Sequence, residues 1–254
     1  SANSDETFVV GYGDGKLKFW DDGGNSSNLI QAHTGAISDL IYSFRGEFLA
    51  SASDTGEVKL WRSNGELIRE LEGHTASVSS IRFNPKDDSL VSADQQGGLK
   101  LWDSSGNLTY EFGDNNRSIS SMSYSPSGKL FATGNKNGII NLWNRQGHKI
   151  RSFKHHQYPI SAIQFSPSGN QMAAADVNGT VTVWSTRSGR RLNTTAFLGQ
   201  LTALVYGETD ELIVIASTEG NIHFWYAPDE KTVSTLSLHR SGSAYSIDFD
   251  RDNN

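Results

Sequence analysis

The 254-residue chain contains no cysteine. Disulfides and thiolate chemistry are therefore excluded, as is any Cys-based metal set. It has no apolar run of transmembrane length, and no basic-then-apolar leader opens it. A soluble cytoplasmic protein is the expectation from those two absences. A basic run is missing as well. Lys and Arg number 22 against 28 Asp and Glu, a net charge of −6, and the densest basic cluster is Arg187, Arg190 and Arg191. That balance argues against a nucleic-acid partner, because phosphates need a basic footprint. The glycine-rich stretch Gly11-Tyr12-Gly13-Asp14-Gly15 sits in a predicted hairpin, with no helix after it to hold phosphate.

What the chain does have is a period. Its six tryptophans are Trp20, Trp61, Trp102, Trp143, Trp184 and Trp225, each 41 residues after the last. A glycine precedes each by five places: Gly15, Gly56, Gly97, Gly138, Gly179 and Gly220. An apolar residue precedes each by twelve: Phe8, Leu49, Leu90, Phe131, Met172 and Ile213. Three residue classes held in register over six copies define a repeat architecture.

The unit that ends at Trp102 reads as four strands. Residues 78–83 alternate and stop at Asn84-Pro85. Residues 89–93 and 99–102 form two more runs, and after Ser104-Ser105-Gly106 the run 108–112 is the fourth. Short β-rich runs punctuated by Gly, Pro, Asn and Ser predict hairpins. Asp14-Gly15, Asn137-Gly138 and Asn178-Gly179 stand between second and third strands, as pairs that favour positive φ and tight turns. First strands hold Ile37, Val78, Ile119, Ile160 and Leu201. An aromatic follows each by five places, Tyr42, Phe83, Tyr124, Phe165 and Tyr206, expected to pack between neighbouring units.

These repeats resemble the WD40-repeat β-propellers over nearly the whole chain. The phrase Leu142-Trp143-Asn144-Arg145-Gln146-Gly147 is most similar to bacterial members with tandem repeats. The resemblance implies an all-β fold, each blade a twisted four-stranded antiparallel sheet. Six blades are expected in a single domain over 1–254, fewer than the seven usual in such relatives. The C-terminal run 244–249 reads as a lone first strand, and the N-terminus supplies strands two to four of one blade. Closure of the ring by that C-terminal strand beside Phe8-Val9-Val10 is therefore expected; the competing reading is a piece cut from a longer array.

Blades of this family often bury a hydrogen-bonded set of His, Ser or Thr, Asp and Trp. The expected structural residues here are His33, Ser51 and Asp54 with Trp61, and His74 and Ser92 with Trp102, where Gln96 takes the Asp place. Trp143 has Thr133 and Asn137, with Asn115 in the His place. Trp184 has His156, Ala174 and Asn178. Trp225 has Phe197, Ile215 and Glu219, and Trp20 completes the six. Ser, His and Asp in one blade suggest a catalytic triad, but polar groups at positions that recur from blade to blade read as a buried network that fixes turns.

His148, His155 and His156 lack a carboxylate or thiolate partner to complete a metal site. Asp248, Asp250 and Asp252 begin like a calcium loop, without its Gly at the sixth place or its twelfth acid. No cofactor is expected.

Three functions fit. The resemblance implies a non-catalytic protein-interaction scaffold that binds a protein or peptide, without nucleic acid or membrane. The alternatives are a sensor or regulatory domain of a larger bacterial signalling or defence protein, and a propeller hydrolase. Partners of the family dock most often on the loops that enter first strands and on the turns between second and third. One slot of the first kind reads Gly35, Ala76, Arg117, Tyr158 and Gly199. One slot of the second reads Gly13, Asp54, Gln95, Lys136, Val177 and Thr218. A binding patch is predicted at Arg117, Lys136, Tyr158, Gln200 and Arg240, since Arg and Tyr are enriched at hot spots.

Overall fold

Each short β-branched or aromatic run forms a strand, and each Gly-, Asn- or Ser-rich stretch forms a turn. The computed structural model describes residues 8–21, 23–26, 29–113, 118–229, 231–237, Ala244 and Ile247. Apart from a 3-10 turn at Ala227–Asp229, all regular structure among them is strand.

Two compact units divide the chain, Ser1–Ser118 and Ile119–Asn254. The first holds three sheets. That of Trp20 has strands Phe8–Gly11, Lys16–Trp20 and Ile30–Gln31. That of Trp61 has Ile37–Tyr42, Phe48–Ser53, Val58–Arg62 and Leu67–Glu70. That of Trp102 has Val78–Phe83, Leu90–Asp94, Gly98–Trp102 and Leu108–Gly113.

The second unit holds three four-stranded sheets. That of Trp143 has Ile119–Tyr124, Leu130–Asn135, Ile139–Asn144 and Lys149–Lys154. That of Trp184 has Ile160–Phe165, Gln171–Asp176, Thr180–Ser185 and Arg191–Ala196. That of Trp225 has Leu201–Tyr206, Leu212–Ser217, Asn221–Tyr226 and Lys231–Ser237. In every sheet strands neighbour in chain order and run antiparallel, so each is one blade of a propeller fold.

The core lies between blades. Ala50, Val58, Leu60 and Leu71 of the Trp61 blade pack with Val78, Ile81, Phe83 and Trp102 of the next. Ile140, Leu142 and Phe153 pack with Ile160, Phe165 and Trp184 in the same way, and Val181 and Val183 pack with Tyr206 and Trp225. A thin sheet cannot bury its own faces, so in these pairs within each unit one blade completes the next one's interior. Five tryptophans are at most 3% exposed and Trp20 is half-buried. Burial of such a ring contributes several kcal/mol, as the ~3–5 kcal/mol cost of Trp→Ala in cores indicates.

The strands also hold a feature that periodicity does not reveal. Each full first strand slips register around its second residue, as between Val78 and Ser80 or Ile160 and Ala162. The slipped residue is a hydroxyl in all five: Ser38, Ser79, Ser120, Ser161 and Thr202. Ser79 and Ser161 donate to the opposing strand's carbonyls, Ala93 O and Ala175 O, over 3.2 Å. Ser120 and Thr202 lie 3.2–3.3 Å from Gly134 O and Ala216 O, but their single proton has a nearer acceptor in Ile160 O and Ala244 O. The hydroxyl engages a backbone acceptor beside the disrupted ladder.

The expected closing strand lies outside the described residues except at Ala244 and Ile247. Ala244 N donates to Ser217 O at 3.2 Å, as Ile37 N does to Tyr12 O five periods earlier. Thr202 Oγ1 donates to Ala244 O. Ala244 therefore meets the Trp225 blade by the same backbone contact with which Ile37 meets the Trp20 blade.

Candidate functional site

The buried polar sets come first, because they hold the loops where a partner would dock. In the Trp102 blade, Trp102 Nε1 donates to Ser92 Oγ at 2.9 Å, and Ser92 Oγ lies 2.7 Å from His74 Nε2. His74 Nδ1 is 2.8 Å from Asp94 Oδ2, and Asp94 Oδ1 accepts from the backbone N–H of Gln96 and Gly98. Every donor finds an acceptor only if His74 is neutral with its proton on Nδ1. Burial pushes His74 below the usual histidine range, with Asp94 opposing.

The acid is thus Asp94, not the Gln96 place. Asp176, not Asn178, plays the part in the Trp184 blade, 2.7 Å from His156 Nδ1. Asn135, not Asn137, caps the corresponding turn beside Trp143, accepting from Asn137 N and Ile139 N; Asn115 lies outside the described residues. In the Trp61 blade Asp54 is exposed, and Glu57 reaches His33 Nδ1 at 3.1 Å and Thr34 N at 3.0 Å. Ser53 fills the Asp94 place there and is too short to reach. The missed signal is Asp/Asn-x-x-Gly: in a turn of this kind the acid sits at the first corner, three before the glycine, where its side chain caps following N–H groups. Among the described residues only Gly15, Gly56, Gly97, Gly138, Gly179 and Gly220 take positive φ at these turns, so the preceding Asp or Asn does not.

Ser92, His74 and Asp94 have triad distances, but Ser92 and Ser51 are 0% exposed and each also accepts from a tryptophan N–H. No substrate carbon can reach such an oxygen, so the set is architectural. Elsewhere it is incomplete: Ala174 leaves His156 Nε2 without a partner, and Trp225 Nε1 likewise has none. Among the described residues no His, Cys, Asp and Glu group could hold a metal ion. Nor is any helix long and apolar enough to cross a membrane.

The docking loops are pinned by backbone. Val177 N donates to Pro159 O and Thr218 N to Gln200 O, tying each turn to the loop of its own blade. Phe197 N donates to Gly179 O, tying a turn to the next blade's loop. Gly138 is pressed against His156 O, and a Cβ there would lie 2.9 Å from Tyr158 O. This contact brings the Lys136 turn beside the Tyr158 loop. Lys136, Tyr158 and Gln200 are all exposed at the same ends of their strands, and Leu198, at 87% exposure, joins them. Leu198 lies outside the patch that the repeat frame predicts; its apolar character in a slot that otherwise reads Thr34, Thr75, Asn116 and Gln157 is the available signal. Arg117 and Arg240 lie outside the described residues.

Repeated antiparallel four-stranded blades with a His–Ser–Trp network define the class of protein, a WD40-type β-propeller. More particularly, the family described as the IFT122 first beta-propeller matches residues 2–254, and the chain belongs to it. Among solved structures it is similar to the computationally designed Ika8 protein, with a TM-score of 0.82 and 26% identity over 95% of this chain and 74% of that one. No curated protein matches the sequence.

Proposed function

We propose that this chain is a single-domain, non-catalytic, cytoplasmic scaffold that presents the exposed loop ends of its blades to a protein or peptide partner. The observation that carries this reading is the contrast at those ends. Backbone hydrogen bonds and close glycine contacts hold the described turns and loops such as those at Gly138, Val177, Gly179 and Thr218, while the side chains on them differ from blade to blade. A rigid frame that carries varied exposed groups lowers the ordering cost of binding. Lys136, Tyr158, Leu198 and Gln200 form the centre of the patch, with Arg117 and Arg240 as its proposed flanks. A cation beside an aromatic and an apolar side chain suits a peptide that carries a carboxylate near an apolar residue.

The test is affinity enrichment with quantitative mass spectrometry, using wild type, Lys136→Ala and Tyr158→Ala. A partner retained by wild type and lost from both variants, with melting temperatures unchanged, supports the reading. Equal retention by all three places the docking surface elsewhere.

A further inference from the structure

Charge is spread unevenly over the repeats. Residues 115–207 hold ten Lys and Arg and one acid, Asp176, whereas the rest of the chain holds twelve basic and twenty-seven acidic residues. Asp176 is 1% exposed and bonded to His156. The Trp143 and Trp184 blades therefore present no carboxylate of their own to solvent.

Their basic groups gather at one corner. The fourth strand of the Trp143 blade, Lys149–Lys154, exposes Lys149 and Lys154 on either side of half-buried Arg151. Arg151 Nη1 donates to Ser188 O, in the turn before the fourth strand of the Trp184 blade. That contact sets the exposed Arg187 and Arg190 of the turn alongside the strand. Arg191 opens the neighbouring fourth strand and lies 3.1 Å from the ring of His155, just past Lys154. The corner ends at the Trp225 blade, where Asp210 accepts from Ser168 N at 3.0 Å.

The strand beneath is the outermost of its sheet, and no further strand pairs with it among the described residues. Ile150 on it is 50% exposed. Lysines on an edge commonly serve only to discourage self-association. That role leaves Arg187, Arg190 and Arg191 unexplained, since Arg187 and Arg190 stand on a turn and Arg191 on a different blade.

We infer that this corner docks an acidic, extended segment of a partner protein, laid along Lys149–Lys154 with its carboxylates toward Arg187, Arg190 and Arg191. The edge supplies backbone donors and acceptors for an added strand, and alternate side chains read its charge. A nucleic acid suits the surface less well. The remaining residues carry a large negative excess that repels a long polyanion, whereas a short segment lies within the local field, which screening confines to about 8–10 Å.

The experiment is fluorescence anisotropy with a fluorescein-labelled peptide of alternating Glu and Val, about ten residues long so as to overrun a six-residue strand. The neutral Gln-Val peptide and a labelled oligothymidylate of similar length are measured beside it. The acidic peptide should bind, more weakly as salt rises, and the neutral peptide should not. Arg187→Glu with Arg190→Glu, and separately Lys149→Glu with Lys154→Glu, should each weaken binding by about tenfold or more with melting temperature kept. Tyr158→Ala should leave it unchanged, which separates this surface from the loop-end patch proposed above. The inference is overturned if both charge reversals leave affinity unaltered, if Tyr158→Ala weakens it equally, or if oligothymidylate binds as tightly as the acidic peptide.

Discussion

His74 shows how one residue depends on two neighbours. Its ring is useful only while neutral, because Ser92 donates to Nε2 and Asp94 receives the Nδ1 proton. Burial holds His33, His74 and His156 below the ordinary histidine range, with Glu57, Asp94 and Asp176 respectively offsetting part of the shift. The unfolded chain therefore takes up these protons first, near the ordinary histidine value of about 6.5. Stability is fully present above that pH and falls as pH drops through the lower folded values. Melting temperature is expected to decline as pH falls below about 6.5; a flat profile there would mean the buried rings accept protons without cost. The incomplete set makes a second test. Ala174→Ser would give His156 Nε2 a donor and Trp184 Nε1 an acceptor at a site that is 0% exposed. An added hydrogen bond of this kind contributes about 0.5–1.5 kcal/mol, to be read as a higher urea midpoint at unchanged m-value.

At the scale of the element, the turn between second and third strands decides where loops lie. Gly138 has φ of +75° and rests against the carbonyls of the next blade's loop. Gly138→Ala meets both obstacles, backbone strain and overlap, and is expected to cost about 1–3 kcal/mol or more. Gly13 has open space around it and no positive φ. Gly13→Ala should change stability by less than about 1 kcal/mol. Chemical denaturation of the two variants side by side checks the contrast; equal effects would show that the carbonyl contact does not constrain the turn.

Over the whole molecule, the period runs unbroken from Trp20 to Trp225, and each interior described above is shared by two consecutive blades. Such nearest-neighbour coupling makes adjacent repeats fold together. The proposed single domain is therefore expected to give one calorimetric transition whose calorimetric and van't Hoff enthalpies agree. Two resolved transitions, with limited proteolysis cutting near 114–117, would divide the chain into independently stable parts instead.

By itself the sequence determined the all-β architecture, the spans of the strands among the described residues to within a residue or two, and the burial of the repeating tryptophans. A 41-residue spacing of Trp, Gly and apolar residues leaves no other way to shelter six thin sheets. It also marked Lys136, Tyr158 and Gln200 as loop residues, because the frame says which slots lie in turns. Tertiary structure decided the rest. Whether Asp94 or position 96 meets His74 depends on which corner of the turn points inward, and Asp94 does because its carboxylate also caps the turn. Glu57 replaces an aspartate only because Ser53 is short and His33 comes within reach of a longer side chain just before the next strand. The basic corner is spread over residues 149–191, and no short window of sequence displays it. Arg151 must cross to Ser188 before charges separated by a whole repeat stand on one surface.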